Sequence, residues 1–168
     1  MSHGLDDGRC PTAARVDNGG ELDRATMSTL PSLLVVASAL IVLTLGSAHL
    51  WLTYRGKAFE PRDASLKQRL EEVSPLISRQ TTMWRASVGF HASHSAGAML
   101  FGLIYGYLAL AQAAVLFASP FLLVLGMAYL AAMAVLGHRY WFSTPFRGAL
   151  LALCLYLAAL IAQSPMAS

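Results

Sequence analysis

Between Arg85 and Arg139 the chain contains no Asp, Glu, Lys or Arg. Residues 86 to 138 are apolar or small and polar, interrupted only by histidines. A run of this kind matches hydrocarbon as its surroundings. A charged side chain at the centre of a bilayer costs about 2.5 kcal/mol or more even on the mildest scales. The whole chain agrees: 12% of its 168 residues are charged, against about 25% in soluble domains. The expected class is therefore an all-α integral membrane protein.

Four segments reach the length of about 20 residues that a helix needs to cross a bilayer. They are residues 31–54, 84–110, 120–141 and 145–163. Three of them open on a proline: Pro31, Pro120 and Pro145. Ser119 and Thr144 precede two of these prolines. A hydroxyl there can cap free N–H groups, and proline suits a first turn because its missing N–H would be unpaired anyway. Ser164-Pro165 reads as the stop of the last helix. The expected fold is a four-helix transmembrane bundle occupying residues 27–168. Residues 1–26 read as a polar tail without helical periodicity, and Met27 is an alternative start that would lead directly into the first span.

Lys and Arg counts set the orientation. Arg55, Lys57, Arg62, Lys67, Arg69, Arg79 and Arg85 lie between the first two spans. Arg139 and Arg147 lie between the last two, and the tail holds Arg9, Arg15 and Arg24 beside five acids. Both basic loops are expected in the cytoplasm, with both termini outside. Trp51, Tyr54, Trp84, Tyr140, Trp141, Phe142 and Phe146 flank these loops as a one-sided aromatic belt.

The first loop, residues 55–83, has an amphipathic stretch. Leu66, Leu70, Val73 and Ile77 recur at helical spacing, Asp63 suits an N-cap, and Pro75 should end the helix early. Two readings stand: an in-plane helix with its leucines at the headgroup boundary, or a linker helix covering the base of the bundle.

The candidate site is Gly89-Phe-His-Ala-Ser-His-Ser-Ala-Gly97. His49 lies six residues before Arg55 and His91 six after Arg85. On antiparallel helices both come about 9 Å inward of those arginines at 1.5 Å per residue. His94 is one turn deeper, within roughly 60° of His91 around the helix. His138 closes the third span on the same side. Ser47, Thr44, Ser93 and Ser95 are candidates to hydrogen-bond these rings. His94, Ala98, Gly102 and Gly106 form a small-residue stripe, and Gly89, Ser93 and Gly97 a second. Such stripes let helices approach closely and can support a homo-oligomer, so the second span is expected at the centre of the packing.

Three readings of the histidines remain open. They can be buried groups hydrogen-bonded across helices. They can hold a b-type haem or a metal. They can handle protons or a small solute. No Asp or Glu lies in any span, so a Ser-His-Asp arrangement cannot form there. Cys10 and Cys154 lack ligand spacing, and the basic residues track the membrane segments, which gives no sign of nucleic-acid binding.

Thr82-Met-Trp-Arg85, Gly89-Phe-His-Ala-Ser-His-Ser95, Leu100-Phe-Gly102 with Tyr105-Gly-Tyr107, and Arg139-Tyr-Trp-Phe-Ser-Thr-Pro145 together resemble a family of small four-helix bacterial membrane proteins without assigned activity. The likeness covers roughly residues 33–163 and implies a bacterial inner-membrane location. In that family's pattern the position of His91 is often Asn, while a His matching His94 follows. The resemblance thus favours His94 over a paired-histidine haem. A looser similarity, in size and span count only, is to DoxX-type oxidoreductase subunits.

Overall fold

The computed structural model describes residues 18–163, with side chains from Thr29 onward. Six helices make up the fold: α1 Asn18–Arg55, α2 Ala64–Glu72, α3 Met83–Ala111, α4 Ala113–Ala118, α5 Pro120–Tyr140 and α6 Ser143–Gln163. Four are long and apolar enough to cross a membrane: Thr29–Arg55 within α1, then α3, α5 and α6. The chain is a four-helix membrane bundle with two short helices, α2 and α4, in its connections.

Helix starts show where local chemistry governs. Ser119 caps α5, its hydroxyl accepting from the Leu122 N–H at 3.4 Å, with Pro120 in the first turn. Asp63 caps α2 by accepting from the N–H and the hydroxyl of Ser65 at 2.9 and 2.8 Å. Thr82 caps α3 at the Arg85 N–H. α2 ends before Pro75, so Ile77 lies beyond the helix and only Leu66 and Leu70 are within it.

Two expected starts differ. α1 begins at Asn18, so Pro31 lies inside it, fully buried. Proline costs a helix one backbone hydrogen bond, but an apolar, packed setting tolerates that loss. The last part of the polar segment is thus helical, and the question of a start at Met27 falls outside the residues whose side chains are described. α6 begins at Ser143, one residue before Thr144, which places Pro145 within the first turn, where no N–H has an intrahelical acceptor. The stop at Ser164-Pro165 also lies outside the described residues. The uncharged link between α3 and α5 contains α4, which the sequence reading did not anticipate. Gln163 of α6 reaches it, donating to the Phe117 carbonyl at 3.3 Å.

α1 is the central helix, in place of the second span expected from its glycines. It packs along both α3 and α6, and α6 packs along α5. The reason is that α1 is small on two faces. Toward α3 it offers Ala39 and Gly46, and a Cβ on Gly46 would meet Ala98 Cβ at 3.0 Å. Toward α6 it offers Ser38, whose hydroxyl donates to the Ala152 carbonyl at 2.7 Å. Gly102 of α3 does serve the seam, since a Cβ there would lie 2.7 Å from Leu43 Cβ and 2.8 Å from the Ala39 oxygen. Gly106 sits in ordinary contact with Ala39. Gly97 and Gly89 face open space, so the second small stripe is not part of the bundle interior.

α3 and α5 stand further apart, and rings fill the gap. Phe101 stacks on Tyr105 and on Tyr129, each at 4.4 Å between centroids. Tyr105 donates to the Leu122 carbonyl at 2.7 Å and Tyr156 to the Leu123 carbonyl at 3.2 Å. Gly126 of α5 lies directly beneath these two tyrosines. Outward, Leu33, Leu40, Leu103, Phe121, Val135 and Ile161 are exposed. In water such a surface would be an association patch; in lipid it meets its own kind.

Candidate functional site

The base of the α1–α3 seam holds three imidazoles. His49 Nε2 and His91 Nδ1 are 3.2 Å apart, a hydrogen bond whose direction depends on the tautomers. The His94 ring meets His49 edge-on at 5.6 Å between centroids. All three are partly buried. Antiparallel α1 and α3 bring His49 and His91 to one depth, and close backbone approach at Gly46 leaves the rings no room to avoid each other. Ser95, one turn above His91, is fully buried.

Two aromatic residues complete the cluster. Phe59, in the connection after α1, lies 4.5 Å from the His49 ring and stacks on His91 at 4.8 Å. Trp141, in the two-residue joint between α5 and α6, meets His94 at 5.2 Å. The sequence reading missed both. Phe59 sits in an aperiodic stretch with no signal of its own. By sequence Trp141 belongs to the interfacial belt, where Trp51, Tyr54, Tyr140 and Phe142 do remain exposed. Its C-cap position turns it inward, with its N–H on the Gly137 carbonyl at 3.2 Å.

His138 does not join. It is exposed and contacts Phe146 at 5.3 Å. Arg139 and Arg147 are exposed as well, so this joint reaches the site through Trp141 alone. The hydroxyls do not serve the rings either. Ser95 Oγ donates to the His91 carbonyl at 2.9 Å, Ser93 to the Phe90 carbonyl at 3.0 Å and Thr44 to the Leu40 carbonyl at 2.7 Å. Each has turned back onto a carbonyl of the preceding turn of its own helix, as Ser and Thr within helices do. Ser47 is exposed.

The hydrogen-bond arithmetic of the cluster is simple. A neutral imidazole has one donor and one acceptor nitrogen, and an imidazolium has two donors and no acceptor. The His49–His91 bond therefore survives with no added proton or with one, and not with two. Among the described residues no Asp, Glu, Lys or Arg hydrogen-bonds to any of the three rings, so the proton balance is internal to them.

Axial ligation of a haem sets two nitrogens on opposite faces of a flat macrocycle, about 4 Å apart at bonds of about 2.0 Å. At 3.2 Å, with the helices packed through Gly46 a turn away, His49 and His91 leave no slot for it. No group of three or more His, Cys, Asp or Glu among the described residues is arranged to hold a metal ion.

Thr82 caps α3, the Gly89–Ser95 segment carries two of the rings, Phe101, Gly102 and Tyr105 pack α3 on its neighbours, and Trp141 covers His94. Comparisons with family models, with curated proteins and with solved structures returned no match. Fold and site together define the class: an all-α, multi-pass membrane protein with a cluster of imidazoles at one end of its bundle.

Proposed function

We propose that this is a binding protein of the bacterial inner membrane, with both termini outside, whose cytoplasmic end takes up a proton at His49, His91 and His94. The observation that carries the reading is the 3.2 Å bond between the imidazoles of His49 and His91. Two titratable groups share one hydrogen, and the bond itself ties α1 to α3. The bond holds with one added proton and fails with two, so it is the second proton that is coupled to helix packing. His titrates in the range of about pH 5 to 8, where cytoplasmic changes occur. The basic loops support the orientation. The likeness of the motifs to small four-helix bacterial membrane proteins fits the location and brings no activity.

An enzymatic reading has less support. The nearby hydroxyls are held by helix carbonyls, and no carboxylate orients an imidazole as a base. Transport has less support too, because above the rings Phe101, Tyr105, Tyr129 and Tyr156 fill the interior.

Nitrogen NMR of ring-labelled histidine in lipid nanodiscs tests the proposal. The expected result is a scalar coupling across the hydrogen bond between His49 Nε2 and His91 Nδ1 at neutral pH, lost when acid protonates both rings and absent in His49→Ala. No coupling between the two rings, or a coupling that acidification leaves unchanged, would sink it. An absorption spectrum and metal analysis of the purified protein provide the second arm. A haem Soret band, or a stoichiometric metal lost in His49→Ala, would replace proton uptake by the cofactor reading.

A further inference from the structure

The loop between α2 and α3 makes a tight turn, the Ser78 N–H bonding the Pro75 carbonyl at 3.2 Å. Its two central residues are Leu76 and Ile77, exposed at 110% and 93%, the most exposed large apolar side chains in the described protein. Turn centres that face water favour Gly, Asn, Asp and Ser. Two branched aliphatics there match a different solvent. Leu66 and Val73, half exposed on and beside α2, extend the apolar surface. The turn cannot stray from the membrane boundary, because the Met83 N–H at the start of α3 bonds the Val73 carbonyl at 2.8 Å.

Charge around the turn is one-sided in what it leaves free. Every acid of the loop is engaged within it. Glu60 pairs with Lys67 at 2.6 Å, and Glu71 stands 4.0 Å from the same ammonium. Glu72 accepts from Gln68 at 3.0 Å, and Asp63 caps α2. Lys67 is also spent, resting over Trp84 at 5.5 Å. Arg62, Arg69, Arg79 and Arg85 are exposed and make no ion pair among the described residues. A surface with free guanidinium groups around an exposed aliphatic tip is complementary to acidic phospholipid, since Arg binds phosphate in bidentate fashion and aliphatics prefer the acyl boundary.

We infer that the Pro75–Ser78 turn is a membrane anchor: Leu76 and Ile77 dip into the leaflet that the loop faces, and Arg62, Arg69, Arg79 and Arg85 hold its acidic headgroups. α2 then lies on the membrane surface as a strap from α1 to α3. This anchor is independent of the histidine cluster.

The test uses the full chain in vesicles, with Cys10→Ser and Cys154→Ser, and an environment-sensitive fluorophore on Ile77→Cys. In phosphatidylcholine containing phosphatidylglycerol the label should show blue-shifted emission and several-fold weaker quenching by aqueous iodide than the same label on Gln68→Cys. Arg62→Gln with Arg79→Gln should return the Ile77 label toward aqueous behaviour at unchanged thermal stability. A water-like label at position 77 in these vesicles overturns the anchor. Shielding that vanishes as the protein is diluted in lipid assigns the turn to a second copy and overturns it as well. Equal shielding in pure phosphatidylcholine overturns the role given to the arginines.

Discussion

The two halves of this bundle solve one problem in opposite ways. Both bury polar rings between helices. In one half Tyr105 and Tyr156 donate to the Leu122 and Leu123 carbonyls of α5, and Ser38 donates to Ala152. Each side chain there answers to backbone, which neither titrates nor rotates. In the other half His49 and His91 answer to each other, Phe59 packs against both, and Trp141 meets the neighbouring His94. A polar group anchored on backbone is permanent. A pair of imidazoles is conditional, because each partner can lose the role that the other needs. The tyrosine half is built to stay closed and the histidine half to respond.

The largest expected effect falls on the tyrosine half. Tyr156 is fully buried over Gly126, and Tyr156→Ala should cost about 3–5 kcal/mol, as truncation of large buried rings does. Thermal unfolding in mild detergent reads this directly, and a change within error would break the comparison. Gly102→Val comes next. Its Cβ alone would meet Leu43 Cβ at 2.7 Å and the Ala39 oxygen at 2.8 Å, and it should cost about 1–3 kcal/mol, whereas Gly97→Val, facing open space, should be silent in the same assay. If both behave alike, the α1–α3 seam is misassigned.

His49→Ala should cost less, near the roughly 0.6 kcal/mol average of polar contacts between membrane helices, yet it should change the pH response most. Emission from Trp141, isolated as the difference from Trp141→Phe, should change on acidification because its neighbour His94 belongs to the cluster. That variation should shrink in His94→Asn, and persistence there would detach Trp141 from the histidines. The smallest effect concerns α2. Hydrogen bonds from the Ser65 hydroxyl, then from backbone N–H groups, hold the Asp63 carboxyl below its usual range. A depressed carboxyl stabilises the folded form above its unfolded value near 4 and loses that effect as pH falls through the lower folded value. Amide protection factors within Ala64–Glu72, taken relative to intrinsic exchange at each pH, should fall on acidification through that window, and Asp63→Ala should already show the lower protection at neutral pH.

The spans were legible because charge-free runs of this length have one solvent in which they are cheap. The start of α5 was legible from Ser119-Pro120, a contact three residues long. The depth match of His49 and His91 followed from counting inward from arginines that stay at the boundary. The centrality of α1 was not legible, because it depends on two faces of one helix being narrow at once, one toward Ala98 and one toward Ala152. Hydroxyl directions were not legible either, since the helix carbonyl one turn back competes with every imidazole for Ser95 and Thr44. Phe59 and Trp141 enter the site from connections, where spacing carries no information about direction.

The sequence by itself determined that the chain is an all-helical membrane bundle and which end of it carries imidazoles. Hydrophobic run length and charge placement act residue by residue, so they can be read without a partner. Tertiary structure alone decided that His49 bonds His91, that His138 stays outside and that Phe59 and Trp141 close the cluster. Those outcomes depend on how closely Gly46 and Gly102 let two helices approach, a distance that exists only once both helices are packed.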